Sequence, residues 1–336
     1  MRWQSIALAL AIASSNCAHG RKQGGASAGA GGLVVGGYAL APGGIEDGDT
    51  ISVVGIEQSL RLLAIDTEET FKKEAERLAV DADWEGYLRR QRGDSPRPVK
   101  MGSPLGEEGK TWAVEFFKGV KTVRLERDHP KEILGRYGRL LVYVFVRRNG
   151  EWVNYNVECV RAGMSPYFMK YGYSRRFHDD FVAAQEEARA AGVGIWDPTK
   201  RHYPDYDERL TWWTERAETV RAFEVEAVGR DDFVVLTRSD ALIRLEAAID
   251  SEVTLLGGIT KIKDNGGTVL VFLGRRHQED FPIVFFARKI YEASTIEAYN
   301  KEYVRVRGKV SRYQNPRTGV DQLQIVVTSP EQIVTP

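Results

Sequence analysis

The stretch from Asp47 to Glu69, DGDTISVVGIEQSLRLLAIDTEE, limits what this chain can fold into more than any other. It holds two short runs rich in β-branched and apolar residues, Thr50 to Val54 and Leu60 to Ile65, which read as strands. Gly55-Ile56-Glu57-Gln58 between them reads as a hairpin turn, and Asp47-Gly48-Asp49 as a tight turn in which Gly48 takes positive φ. Antiparallel pairing would bring Asp49, at the start of one strand, beside Asp66 and Thr67, just past the end of the other. Two acids converging there suit a hard cation, which takes carboxylate and carbonyl oxygens. Arg61 points a positive charge toward the same mouth, where an anionic substrate would sit.

Acids that hold a cation, arginines and a spare carboxylate are the groups that phosphodiester hydrolysis needs. Metal and arginines stabilise the charge developing on phosphorus, while a carboxylate activates water. Arg139, after the Tyr137-Gly138 turn and before the apolar strand Leu140 to Val146, would be the second clamp.

Asp-Gly-Asp-Thr at 47–50, Arg-Leu-Leu-x-Ile-Asp-Thr-x-Glu at 61–69 and Tyr-Gly-Arg-Leu-Leu-x-Tyr at 137–143, in that order, resemble the thermonuclease (staphylococcal nuclease-like) family. The resemblance continues through Val153-Asn154, Val160-Arg161-Ala162-Gly163 and a helix ending at Gly194-Ile195-Trp196. It implies a calcium-dependent nuclease that cleaves DNA or RNA with little sequence preference and leaves 3′-phosphate ends. It implies that Asp49 and Asp66 ligate calcium through carboxylates, and Thr67 through its backbone carbonyl. Glu69 would take the proton of the attacking water, Arg61 and Arg139 would hold the phosphate, and Tyr137 and Tyr171 would line the nucleotide pocket. Arg136 joins the substrate-binding set beside Tyr137. Oxygen ligands suit Mg2+ and Mn2+ as well as Ca2+. Single strands are the expected substrate, because such a pocket reads a phosphate and a stacked base.

Three departures from the family pattern stand out. Glu68 replaces the usual proline and makes an acidic doublet, which leaves two candidates for the base and would either tighten cation binding or raise the pKa of Glu69. Gly135 stands where an acid is common. The segment 71–106 is a long insertion.

Lys and Arg total 47 and so do Asp and Glu, which excludes a generally basic nucleic-acid coat protein but not a local basic cleft. Residues 1–17 read as a lipoprotein-like export signal: Arg2, then an apolar run to Ala13 too short to cross a bilayer, then Cys17 as the expected lipidation site. An ordinary cleaved signal with an incidental cysteine is the other reading. Both place the protein outside the cytoplasm, lipid-anchored at a bacterial envelope or secreted. Cys159, the second of two cysteines, reads as a small buried residue. Residues 18–44, rich in Gly and Ala, read as a flexible tether, within which Tyr38-Ala39-Leu40 offers an opening strand.

The fold class expected is β-rich α+β: an OB-like five-stranded barrel with packed helices over 45–200, then a second OB-like barrel over 222–336. Phe71 to Arg92 reads as one amphipathic helix, either a lid over the substrate or a surface insertion that packs Trp84 and Tyr87 onto the barrel. Lys170, Tyr171, Tyr173, Arg175 and Arg176 form a basic, aromatic segment able to stack a base and hold a phosphate. Residues 201–221 read as a stiff helical connector whose Trp212 and Trp213 pack one on each domain. In the second barrel, Arg305, Arg307, Lys309 and Arg312 alternate with apolar residues. They form either a nucleic-acid surface or the polar face of an antiparallel strand. A protein partner for this domain, with the first barrel reduced to a binding module, is the competing expectation.

Overall fold

The acid-bearing hairpin forms as expected, and its strands become two staves of a closed barrel. In the computed structural model, which describes residues 32–275, 279–314, 319 and 321–334, the first barrel opens with β1 (Val34–Ile45), β2 (Thr50–Val53) and β3 (Leu60–Leu62). The signal, Cys17 and Arg317 lie outside the described residues. β1 falls inside the segment assigned to the tether. Its Val35, Tyr38, Leu40 and Ile45 pack on the barrel core, and a register shift in its pairing accommodates the Gly-rich start.

The insertion and the rest of the barrel follow as α1 (Glu74–Ala82), α2 (Trp84–Arg92), α3 (Pro104–Phe116), β4 (Thr122–Glu126), β5 (Leu141–Arg148) and β6 (Glu151–Asn154). α4 (Tyr155–Arg161) and α5 (His178–Ala191) pack against them. The ring runs β1-β2-β3-β5-β4 and back to β1, antiparallel except for the β3–β5 pair, with β6 added outside β5. The single helix expected over 71–92 is two, broken at Asp83, whose extended backbone ends α1 and whose side chain caps α2 at Gly86. Trp84 and Tyr87 join a satellite core with Leu105, Ile195, Tyr203 and Tyr206 rather than lying on the barrel itself.

α6 (Tyr206–Glu226) leads to β7 (Phe233–Val235) and α7 (Ala241–Ala247), the segment whose place the sequence did not reveal. The second barrel is then β8 (Glu252–Asp264), β9 (Val269–Leu273), β10 (Phe281–Phe285), α8 (Arg288–Ala293), β11 (Tyr303–Gln314), β12 (Asp321–Val326) and β13 (Ile333–Val334). Its ring, β8-β9-β10-β12-β11 and back to β8, repeats the connectivity of the first, including one parallel closing pair, β10–β12. Both are five-stranded OB-like barrels.

α6 binds the two together. Trp213 packs edge-on against Phe168 of the first barrel, 4.7 Å between ring centres. The Trp212 indole N–H donates to Glu302 of the second at 2.9 Å, and Arg216 pairs with the same carboxylate at 2.7 Å.

Candidate active site

Arg61 lies opposite Thr50 in the β2–β3 pair and beside Leu141 in the parallel β3–β5 pair. That register sets Arg61 and Arg139, two residues before Leu141, at the same end of the barrel, where both line one cleft. Arg61 bridges the two expected metal ligands, with Nη1 2.7 Å from Asp49 Oδ2 and Nη2 2.5 Å from Asp66 Oδ1. Its guanidinium is held far into the charged range: burial opposes the charge, but Asp49 and Asp66 outweigh it. Arg139 makes no ion pair or side-chain hydrogen bond with a described residue.

Backbone geometry aims the acids. Ala64 takes φ +61 and turns the chain so that Ile65 enters the core while Asp66 faces outward to Arg61. Ser165 Oγ accepts from the Asp66 N–H at 2.8 Å, and the Tyr155 hydroxyl donates to the Gly48 carbonyl at 2.7 Å, fixing the 47–49 turn from below. Gly48 is not in the positive-φ region. It is needed because a Cβ there would lie 2.6 Å from the Thr67 methyl.

The acidic doublet separates cleanly. Glu68, 2% exposed, turns inward, where its carboxylate accepts from Ser103 Oγ, from the Tyr203 N–H at 2.6 Å and from the Tyr206 hydroxyl at 2.8 Å. Burial raises its pKa in spite of those bonds. Glu69 is instead partly exposed, with its carboxylate 3.3 Å from the Lys100 ammonium and 3.8 Å from that of Lys72. The Glu69 backbone N–H donates to the Tyr203 hydroxyl at 3.2 Å.

The sequence held no sign of Lys100. This insertion residue places Nζ 2.8 Å from Asp66 Oδ1 and 3.3 Å from Glu69 Oε1. Burial raises the Asp66 carboxyl, but Lys100 and Arg61 more than offset this and hold it below the usual range. With these cations on the carboxylates, no three His, Cys, Asp or Glu side chains form a ready-made metal cluster among the described residues.

The donor set nevertheless fits a hard cation. Thr67 is buried, yet its carbonyl oxygen accepts no hydrogen bond from a described residue, a state that calls for a ligand. Asp47, Asp49, Asp66 and Glu69 also outnumber Arg61 and Lys100. Burial, with the neighbouring Asp49 adding to it, pushes the Asp47 carboxyl up to about 6.

Residues 59–198, which hold Arg61, Asp66, Thr67, Glu68, Glu69, Lys100, Arg139 and Ser165 but not the 47–49 turn or Tyr203 and Tyr206, match the family described as Staphylococcal nuclease homologue. This segment is similar to that family over its length. The chain is also similar to an uncharacterized protein of Methanocaldococcus jannaschii, 29% identical over 161 residues that make up 46% of this chain and 69% of the relative. An uncharacterized protein of Bacillus anthracis is 28% identical over 167 residues, 47% of this chain and 64% of the relative. Neither name carries an activity.

Around the cleft, the expected substrate residues divide. Tyr137 and Tyr171, 77% and 56% exposed, both line it. Arg136 lines it too, but its guanidinium is taken by Asp280 of the second barrel, at 3.2 and 3.0 Å. Of the basic, aromatic segment, Tyr173 bonds Glu218, Arg175 pairs with Glu224 and Arg176 with Glu126, so Lys170 and Tyr171 alone are left for a ligand. Those pairings hold the segment on α6 and β4, contacts that composition alone does not reveal.

Proposed function

We propose that this protein is a calcium-dependent nuclease that hydrolyses phosphodiester bonds of DNA or RNA with little sequence preference, leaving 3′-phosphate ends. The observation that supports the reading is that Arg61, ion-paired with Asp49 and Asp66, lines one cleft with Arg139, which has no ion pair with a described acid; Arg61, Asp66 and Arg139 fall within the segment similar to the nuclease family. Arg139 and Arg61 would donate to the phosphoryl oxygens as charge develops there, and Glu69 would accept the proton of the attacking water. Asp49, Asp66 and the Thr67 carbonyl would hold the cation. When bound, it supplies a Lewis acid for the phosphoryl oxygen. Export, with a lipid anchor at Cys17, belongs to the same proposal and rests on the sequence pattern of residues 1–17.

The test is degradation of single-stranded DNA by the mature chain with calcium, with chelator, and for Arg139→Ala. Cleavage should require calcium and fall on the order of 10²–10³ in the variant, the usual cost of one charged transition-state donor. Cleavage indifferent to Arg139 would overturn the assignment of the site.

One observation favours a second reading, a binding module without chemistry: the Lys100 ammonium already lies on Asp66 and Glu69. Activity absent in the natural chain under calcium, magnesium and manganese alike would support it.

A further inference from the structure

The two barrels enclose a cleft of about 620 Å³ that reaches from Arg61 and Arg139 to Arg275, Lys301 and Tyr303 of the second barrel. Most of its cations are spoken for by acids. Arg61 has Asp49 and Asp66, Arg136 has Asp280, Arg175 has Glu224, Arg216 has Glu302 and Arg221 has Glu218. Four have no ion pair with a described acid: Arg139 and Lys170 on the first barrel, Arg275 and Lys301 on the second.

Two of these four sit where an uncompensated charge is costly. Lys170 Nζ lies 4.2 Å from the centre of the Trp212 ring. Burial and the neighbouring Arg216 lower its pKa to about 8. Arg275 donates from Nε to the Glu279 carbonyl, but its Nη1 is buried with no hydrogen-bond partner among the described residues. A buried donor left unpaired is costly, and an anion in the cleft that reached it would relieve that cost. The basic strand β11 is the opposite case: Arg305 pairs with Glu226, Arg307 with Glu252, Lys309 with Asp250 and Arg312 with Asp321, so that face is neutralised. Positive charge is therefore left open between the barrels and closed where the sequence pattern drew attention.

The cleft is also firmly built. Glu302 ties Arg97, Trp212 and Arg216 together, and Arg136–Asp280 closes another side. Tyr137 and Tyr171 stand exposed at its first-barrel end, where bases could stack.

We infer that the second barrel is one wall of the substrate path, and that a single nucleic-acid strand runs through the cleft with its flanking phosphates on Lys170, Arg275 and Lys301. This deepens the nuclease reading and rests on it. The strand passes from the Arg61–Arg139 mouth into the groove, and its length beyond the scissile phosphate contributes to affinity.

The test is binding of a fluorescent single-stranded DNA oligonucleotide, and of a mononucleotide, to the full chain in calcium across a salt series. A Glu69→Gln background keeps the strand intact. Each phosphate contact to a single strand adds ~0.7 to the slope of log affinity against log salt, so Arg275→Gln with Lys301→Gln should flatten it by about 1.4. Oligonucleotide affinity should fall on the order of tenfold, and the ratio of oligonucleotide to mononucleotide affinity should fall with it. Lys301 is exposed, so Lys301→Glu alone repeats the test without disturbing the fold, and it should weaken the oligonucleotide further than Lys301→Gln. Unchanged affinity and slope in these variants, with the parent still binding and Arg139→Ala still impaired, would overturn the second wall and leave the nuclease reading standing. A parent that neither binds nor cleaves single-stranded DNA would overturn both.

Discussion

Lys100 is a tethered cation on the carboxylates that would receive a free one. Its ammonium contacts Asp66 and Glu69 from the loop before α3, and Met101 beside it is held at both N–H and C=O by the Tyr203 hydroxyl. A divalent ion at Asp49, Asp66 and Thr67 must therefore displace a positive charge that is already present. Lys100→Gln should tighten calcium binding roughly tenfold, about 1.4 kcal/mol, in a calorimetric titration. Unchanged affinity would mean that Lys100 does not compete. Glu68 makes the complementary case. Glu68→Ala strands the Ser103 hydroxyl, the Tyr203 N–H and the Tyr206 hydroxyl, and should cost on the order of 3 kcal/mol in urea unfolding. Proline at 68, the usual family residue, would remove the same carboxylate and bring the same loss. The convergence of Asp49, Arg61 and Asp66 could be read from the sequence because hairpin pairing is local, whereas Glu69 entered through the family resemblance. Lys100 and Ser165 could not be read, since nothing near 100 or 165 in the sequence records which distant loop they meet.

At the level of elements, close approaches between backbones decide what is tolerated. α4 ends at Gly163 and the α5 exit returns at Gly194, and the two stand almost in contact, with the Ile195 N–H donating to the Gly163 carbonyl at 2.8 Å. A Cβ on Gly194 would lie 2.0 Å from that carbonyl, and Gly194 also takes φ +60. Gly194→Ala should destabilise the domain by about 1–3 kcal/mol in denaturant unfolding, through crowding that no side-chain motion can relieve. Gly163 as a helix end could be read from sequence, because glycine after a short apolar helix is a local signal. Its partnership with Gly194 could not. The same limit explains β1: Gly-rich composition pointed to a tether, while the apolar residues at 35, 38, 40 and 45 found a barrel to pack on.

For the whole molecule, the junction between barrels holds a histidine whose titration bears on stability. His129 is pushed down to about 4 by burial and by Arg238 and Arg175, with Glu132 opposing and Lys131 adding to the effect. An unfolded histidine takes its proton near 6.5, so between about 6.5 and 4 the unfolded chain binds more protons than the folded one. This contribution to stability is present above 6.5 and is lost as pH falls through that window. His129→Gln should flatten the fall in melting temperature between pH 6.5 and 4, and an unchanged slope would place the sensitivity elsewhere. Both barrels were visible as strand rhythms. Their mutual placement was not, because it depends on pairs such as Arg136–Asp280 and Trp212–Glu302 that join residues far apart in the chain.

One earlier detail bears on how the protein is made. Glu68 and Glu69 are anchored by Tyr203 and Tyr206, and the first barrel buries Trp213 and Ala217 of α6 in its own core. The hairpin that carries the proposed site lies far ahead of these supports in the chain. The core of the first barrel is complete only when Trp213 and Ala217 of α6 pack into it. A chain halted near residue 200 would thus hold every proposed catalytic residue and still lack the scaffold that aims them.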